Sequence, residues 1–123
     1  MSNIQYSVIV PILNEADSVV ELCDRLHAVF VDMEEENSFE VLFIDDGSTD
    51  KTASILHEIS EDRSYLNWIR FRTNMGKSLA LTAGFNATKG DIVITIDGDL
   101  QDLPEDIPKL ITELDKGYDV VVG

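Results

Sequence analysis

Two carboxylates separated by a single glycine, Asp97 and Asp99, directly follow the apolar run 92–96. The pattern is typical of a buried strand that ends in a tight turn carrying both acids. Ligands of open parallel α/β sheets bind beyond the carboxyl ends of the strands, and paired carboxylates in that place favour a hard divalent cation. Asp-Gly-Asp alone is also consistent with a solvated turn that caps the next helix. Only the rest of the sequence can therefore distinguish a metal site from a helix cap.

Polar clusters also follow the earlier strand-like segments of the chain. They are Asn14-Glu15, then residues 45–50, and then Asn74-Met75-Gly76-Lys77. Turns favour Asp, Asn, Gly and Ser, which would account for one such cluster. Clusters at successive carboxyl ends instead predict a cleft at one edge of the sheet, where a ligand binds.

The elements that would position these clusters alternate between strand-like and helix-like patterns. Strands are predicted over 6–12, 39–44, 66–71 and 92–96, with a fifth from 119, and helices over 19–33, 52–59, 78–88 and from 104. Gly90 is expected to end the third helix. Strands that are apolar on both faces indicate an α/β fold, with a mainly parallel sheet and helices on both faces. Because the chain stops within the fifth strand, we expect part of a longer domain, with a complete flavodoxin-like domain as the alternative.

The composition of the chain narrows the class of protein. An apolar content of 44% over 123 residues allows one domain with a modest core, and a formal charge of −15 argues against nucleic acid as a partner. The sequence has no apolar run long enough to span a membrane and no secretory signal, which predicts a cytoplasmic location. The single cysteine, Cys23, lies in a helical apolar stripe and is expected in the core.

Basic residues are concentrated in a stretch without acids, residues 63–90. Arg70 and Arg72 are expected on the exposed face of a strand. Lys77 differs because it follows a glycine at a strand-to-helix turn, where a helix N-terminus and a lysine favour phosphate. Asp and Asn side chains suit a base and ribose, and a metal held by carboxylates suits a diphosphate. The edge therefore predicts a nucleoside-diphosphate site with a divalent cation.

Three segments at this spacing resemble glycosyltransferase family 2, whose members have the GT-A fold. They are residues 8–15, residues 44–52 and the Asp-Gly-Asp motif at 97–99. The resemblance implies the Rossmann-like half of a GT-A domain, with residues 1–123 as its nucleotide-sugar-binding part, truncated at the carboxyl end. The stretch 97–105 looks most like the branch of dolichyl-phosphate mannose synthases and bacterial polyprenyl-phosphate sugar transferases, and 74–77 and 83–85 are similar to that branch too.

The resemblance also implies roles for residues on the nucleotide side. Those that would hold the base and ribose of a UDP- or GDP-linked sugar are Pro11, Asn14, Glu15 and Asp46. Lys77 would lie near the diphosphate of the same donor.

On the metal side, the resemblance makes Asp97 and Asp99 the expected catalytic residues. Asp97 would contact the nucleotide or the metal. Asp99 would be the main protein ligand to Mg2+ or Mn2+, with Gln101 as a second ligand. Gly98 completes the cofactor-binding set, and glycine in this place, where many relatives have alanine, is expected to be harmless.

The implied activity is a metal-dependent, inverting transfer of a sugar from a nucleoside diphosphate to an acceptor, a polyprenyl phosphate in this branch. A phosphate monoester, with a second pKa of about 6, can attack without a protein base. The parent protein is then expected at the cytoplasmic face of the membrane. This chain alone is expected to bind donor without completing transfer, and to self-associate through its open sheet edge. The alternatives are a nucleotidyltransferase or other nucleoside-diphosphate enzyme, and a non-enzymatic nucleotide-binding or phosphoacceptor receiver module.

Overall fold

Strands and helices alternate along the computed structural model, which describes residues 4–99 and 103–115. The strands are β1 (Tyr6–Ile12), β2 (Phe39–Asp45), β3 (Leu66–Arg70) and β4 (Ile92–Thr95). The helices are α1 (Val19–Asp32), α2 (Thr52–Ser60), α3 (Lys77–Ala87) and α4 (Ile107–Asp115), the last preceded by a 3-10 turn at Pro104–Asp106. These elements confirm the predicted ones to within a few residues at each end. The predicted fifth strand lies outside the described residues.

The described strands form a parallel sheet in the order β3-β2-β1-β4. The chain builds outward from β1 to β2 and β3, then crosses back to place β4 on the other side of β1. Strand order therefore reverses between β1 and β4, which is the switch point where such sheets open a crevice. A flavodoxin-like sheet would place β3 beside β1, so the flavodoxin-like alternative is wrong.

Helices cover both faces of the sheet, as the apolar strands predict. On one face, Val8 and Val10 of β1 belong to a core that includes side chains from α1, α2 and α4. On the other face, Ile9 of β1 and Leu42 and Ile44 of β2 pack against Ala80 of α3. Alternate residues of each strand thus enter different cores, because successive side chains of a strand point to opposite faces.

Helix α3 lies close to the sheet along a narrow strip. Its buried residues are Ala80 and Gly84, and a Cβ on Gly84 would come within 2.6 Å of the Ile9 side chain. Leu81 packs against the same core while partly buried, whereas Phe85 is 52% exposed. The small residues Ala80 and Gly84 thus let the helix backbone approach β1.

Gly90 does not end α3, contrary to the prediction. The helix ends at Ala87, with Thr88 as its cap. Gly90 instead donates its N–H to the hydroxyl of Ser7 at 2.8 Å, and a Cβ there would meet the same hydroxyl. The glycine is needed because the chain passes tightly over β1 before it enters β4.

The remaining expectations from composition concern single side chains. Cys23 is fully buried in the larger core, where burial raises the pKa of its thiol. Arg70 and Arg72 are exposed. Within 4–99 and 103–115, none of the helices has the length and apolar character needed to cross a membrane.

Candidate functional site

A cleft of about 300 Å³ opens at the carboxyl edge of the sheet. Residues that line it come from all four strand ends and from the start of α3, and they are Pro11, Ile12, Leu13, Asp46, Asn74, Gly76, Lys77, Ala80 and Asp97. The sequence-predicted residues Pro11, Asp46, Lys77 and Asp97 are therefore brought together. The floor is apolar and the rim carries charge of both signs, an arrangement that suits a ligand with a flat base and an ionised tail.

Asn14 lies beside this cleft, outside its lining, and joins two loops. The residue adopts a left-handed conformation with φ of 54°. Its N–H donates to the Ser48 hydroxyl at 2.8 Å, and its side-chain oxygen accepts from the N–H groups of Thr49 at 2.9 Å and Asp50 at 3.3 Å. The amide predicted to bind nucleotide thus connects the β1–α1 loop to the β2–α2 loop.

Glu15 also lies outside the lining, and its backbone extends the same connection. Its N–H donates to the hydroxyl of Thr52 at 3.0 Å, and that hydroxyl donates to the Asp50 carboxylate. The other Asp50 oxygen accepts from the N–H of Ala16 at 3.4 Å. The hydrogen bond from Thr52, with backbone donors beside it, lowers the pKa of Asp50. We call the set Asn14, Ser48, Asp50 and Thr52 the loop clamp.

Asp46 faces the cleft with its carboxylate fixed by the β3–α3 loop. Its oxygens accept from the N–H groups of Met75 at 2.7 Å and Gly76 at 3.0 Å, and the side chain is 6% exposed. Its own N–H donates to the Ile12 carbonyl at 2.9 Å. Asp46 therefore ties three strand ends together where it lines the cleft.

Two glycines, Gly47 and Gly76, allow the β2–α2 and β3–α3 loops to approach each other closely. Gly47 has φ of +82°, and a Cβ there would lie 2.6 Å from the backbone N of Asn74. Gly76, with φ of +97°, would have open space around an added Cβ. Gly47 is thus required by both conformation and space, whereas Gly76 is required by conformation alone.

Lys77 begins α3 and reaches across the cleft. Its Nζ lies 2.6 Å from Oδ1 of Asp97, with both side chains partly exposed. The lysine is placed at a helix N-terminus, where backbone N–H groups and the helix dipole attract anions. The basic stretch and the Asp-Gly-Asp turn therefore meet in one ion pair at the rim.

The turn after β4 is anchored through Gly98. The carbonyl of this buried residue accepts from the Ser18 hydroxyl at 2.9 Å, and a Cβ on it would overlap the Cγ2 methyl of Ile12. The alanine that many relatives have at this position would therefore not fit here unless the Ile12 side chain or the turn shifted.

Of the residues predicted to bind the metal, Asp97 and Asp99 are described by the structure, and Gln101 lies outside the described residues. Within the described residues, no group of three or more His, Cys, Asp or Glu side chains is arranged to hold a metal. Asp99 is exposed beside the cleft, and carboxylate oxygens are ligands that Mg2+ and Mn2+ accept. The carboxylate oxygens of the turn are therefore suitable ligands for the expected Mg2+ or Mn2+.

A parallel sheet with its cleft at the switch point, and a lysine at the helix N-terminus opposite paired acids, defines a nucleotide-binding α/β domain. Residues 7–123 match the family model described as glycosyl transferase family 2. The chain belongs to this family, and its sheet is the Rossmann-like half of the GT-A fold. This membership favours the glycosyltransferase hypothesis over a nucleotidyltransferase or a receiver module.

Two similar curated proteins are undecaprenyl-phosphate 4-deoxy-4-formamido-L-arabinose transferases. The one from Edwardsiella ictaluri is 44% identical over 116 residues, which are 94% of this chain and 35% of the relative. The one from Klebsiella pneumoniae is 42% identical over the same shares. The chain thus spans about a third of the length of these relatives.

Similar solved structures include glycosyltransferases with bound donors. The mannosyltransferase PcManGT from Pyrobaculum calidifontis, in complex with GDP-Man and Mn2+, superposes with a TM-score of 0.74 at 26% identity, over 95% of this chain and 33% of that one. TarS 1-349 from S. aureus, in complex with UDP-GlcNAc, superposes with a TM-score of 0.65 at 27% identity, over 97% and 37%.

Sequence reasoning missed the residues that act across the site. Ser18 was not identified from the sequence, yet its hydroxyl contacts a turn 80 residues away. Ile12 was identified only as part of the first strand, yet its side chain limits the space at Gly98. Asn74 and Gly76 stood in a polar cluster that the sequence identified, and they line the cleft.

Proposed function

We propose that this chain is the donor-binding part, residues 1–123, of a metal-dependent glycosyltransferase that uses a nucleoside-diphosphate sugar. The observation that carries the proposal is the cleft at the switch point, whose rim brings Asp46, Lys77 and Asp97 together. Membership in glycosyltransferase family 2 supports it. So do the donor complexes of two similar structures, one with GDP-Man and one with UDP-GlcNAc.

Each described residue has a role that its surroundings support. Pro11 and the fixed carboxylate of Asp46 bind the base and ribose, since both line the cleft. Lys77, at the start of α3, binds the diphosphate in place of its contact with Asp97. Asn14 and Glu15, which lie just outside the lining, contribute to base and ribose binding by holding the adjoining loops through the loop clamp.

The acids of the turn are proposed as the metal site. Asp99 is the main protein ligand to Mg2+ or Mn2+, Gln101 is a second one, and Asp97 contacts the metal or the nucleotide. Gly98 gives the turn its close fit against β1. The cation, when bound, neutralises charge that develops on the departing diphosphate.

We propose a polyprenyl phosphate as the acceptor of the whole protein, because two relatives are named for undecaprenyl phosphate. A phosphate oxygen of the acceptor forms a bond to the anomeric carbon while the bond from that carbon to the donor's diphosphate breaks. The nucleoside diphosphate leaves with that electron pair, and the configuration inverts. The acceptor oxygen is already ionised at neutral pH, since its second pKa is about 6, so orientation replaces a protein base.

The location and assembly of the protein follow from the same substrates. A lipid-linked acceptor and a water-soluble donor meet at a membrane surface, and we place the whole protein at its cytoplasmic face. This chain alone is expected to bind donor without completing transfer. It is also expected to self-associate, since Leu79 and Phe85 of α3 and Val93 of β4 expose apolar surface near the sheet edge.

Calorimetric titration of UDP, UDP-glucose, GDP and GDP-mannose, with and without Mn2+, tests the donor site. Residues that only support metal ligands typically account for 10–100-fold in affinity. We therefore expect Asp99→Ala to weaken Mn2+-dependent binding by about 100-fold or more. The control is Asp62→Ala, an exposed carboxylate beyond the end of α2, which should bind like the wild type.

If this chain binds none of the four nucleotides, the same titration on the full-length protein shows whether the rest of the protein is needed for binding. Absence of binding for all four nucleotides in both proteins would overturn the proposal. Product analysis of the full-length protein separates the alternative enzyme, since a sugar transfer releases a nucleoside diphosphate and a nucleotidyl transfer releases pyrophosphate.

A further inference from the structure

Ser18 connects the beginning of α1 with the turn that carries Asp97 and Asp99. Its hydroxyl lies 2.9 Å from the carbonyl oxygen of Gly98. The same hydroxyl lies 3.0 Å from Oε2 and 3.3 Å from the backbone oxygen of Glu15. A serine hydroxyl has one proton to donate, so these acceptors share it, and the Gly98 carbonyl lies at the shortest distance.

The peptide that Ser18 contacts is also held by packing. Gly98 is buried, and a Cβ on it would overlap Cγ2 of Ile12 and lie 3.4 Å from the Pro11 carbonyl oxygen. Just before it, the N–H of Ile96 donates to the Ile9 carbonyl at 3.1 Å. The backbone between the acids is therefore pressed against the end of β1 on one side and bonded to Ser18 on the other.

This contact sets where the carboxylates of the turn stand. Asp97 and Asp99 flank the held residue, so rotation or withdrawal of the Gly98 peptide would move both of them. Asp97 lines the cleft, and Asp99 is exposed. Loss of the hydroxyl would leave the packing against Ile12 in place but free the carbonyl to turn.

We propose that Ser18 is a positioning residue for the metal-binding acids. It acts through the Gly98 carbonyl, which it fixes so that Asp99 faces a cation bound at the cleft. The inference rests on the proposed function, since it assigns the acids to a metal. It adds a residue that contacts neither nucleotide nor metal and yet controls metal-dependent binding.

Three variants test the proposal by calorimetry with UDP or GDP, whichever the protein binds, with and without Mn2+. Ser18→Ala should lower Mn2+-dependent affinity by about 10-fold, at the low end for residues that orient metal ligands, and leave metal-free affinity unchanged. Ser18→Thr keeps the hydroxyl and should bind within about 2-fold of wild type. The matched control is Ser54→Ala, because the Ser54 hydroxyl also donates to a backbone carbonyl at a helix start, that of Lys51 at 2.9 Å.

A readout without metal follows the hydrogen bond itself. The carbonyl 13C chemical shift of Gly98 should change in Ser18→Ala and stay in place in Ser54→Ala. Equal losses of metal-free and metal-dependent affinity in Ser18→Ala, or wild-type binding by that variant, would overturn the positioning role alone. If the wild-type full-length protein bound its nucleotide without any effect of Mn2+, the proposed metal site would fail, and the inference with it.

Discussion

The loop clamp beside the cleft and the turn after β4 use the same residue types in different ways. In the clamp, the oxygens of Asn14 and Asp50 accept from backbone N–H groups of the two loops that the clamp joins. In the turn, Asp97 lines the cleft, where it meets Lys77, and Asp99 is exposed. The clamp thus uses its acids and amides to build the loops, whereas the acids of the turn lie at the surface, where we propose that they bind a ligand.

This difference shows why polar clusters at strand ends are ambiguous. The left-handed conformation of Asn14 brings its side chain back over the β2–α2 loop, whereas the turn after β4 lies flat against β1 through Gly98. Substitutions in the clamp should therefore lower stability, and substitutions of Asp97 or Asp99 should lower ligand affinity at nearly unchanged stability.

The largest effect is expected from Gly47, which precedes the clamp residue Ser48 in the β2–α2 loop. Gly47→Ala adds a methyl at a φ of +82° and 2.6 Å from the backbone of the β3–α3 loop, and it should lower the free energy of unfolding by about 3 kcal/mol. Gly76→Ala, at a φ of +97° with open space, should cost about 1 kcal/mol. Urea unfolding of both variants measures the difference. Equal losses would mean that the two loops do not press on each other.

The next largest effect is expected from Thr52→Val, which removes a hydroxyl of the loop clamp. It keeps the shape of the buried side chain but leaves the N–H of Glu15 and an oxygen of Asp50 without the hydroxyl that they contact. We expect a loss of about 2 kcal/mol in the free energy of unfolding, the usual cost of an unpaired partner. Thr82→Val removes a hydroxyl that bonds only its own helix, at the Ser78 carbonyl, and should change stability by less than about 0.5 kcal/mol. Matching losses in the two valine variants would argue against the clamp.

The smallest effect is the pH dependence contributed by Asp50. Its pKa lies below the ordinary 3.8 because the Thr52 hydroxyl donates to the carboxylate. A lowered pKa in the folded state means that the ionised form stabilises the protein above about pH 4 and that this stabilisation is lost as the pH falls through the folded value. Asp50→Asn should therefore be less stable than wild type at pH 7 by below about 1 kcal/mol, since water screens this exposed group.

Thermal unfolding of both proteins from pH 7 to pH 2 follows that difference. The two curves should converge as Asp50 becomes protonated, because the neutral acid and the amide then make similar hydrogen bonds. A constant gap over the whole range would show that the ionised carboxylate has no part in holding the clamp.

Much of the fold could be predicted, because it depends on local patterns. The apolar runs of β1 and β2 and the spacing of Val19, Leu22 and Leu26 define their elements without knowledge of the partners. The order β3-β2-β1-β4 could not be derived in this way, since no local pattern says which strand lies beside β1. The shared edge was nevertheless predictable, because any parallel arrangement brings the carboxyl ends together.

The location of the site could be predicted from the sequence, but most of its contacts could not. Asp46, Lys77 and Asp97 meet at the cleft because each follows a strand at that edge. The direction of Asn14 depends on its backbone conformation, and the fit of Gly98 depends on the facing methyl of Ile12. Such contacts between distant segments arise only when the sheet is assembled, so residue type and spacing do not reveal them.

A buried carboxylate at the opposite end of the sheet helps to align the strand that leads to the Asp-Gly-Asp turn. Glu40 of β2 accepts from the Ser7 hydroxyl at 2.6 Å and from the N–H of Lys89 at 2.7 Å, while Gly90 donates to Ser7. These bonds tie β1, β2 and the start of β4 together, where Tyr6 lies opposite Ile92. A slip of one residue would turn each β4 side chain to the other face. Glu40 therefore stabilises the register of a strand of four residues, and with it the point at which Asp97 and Asp99 follow the sheet.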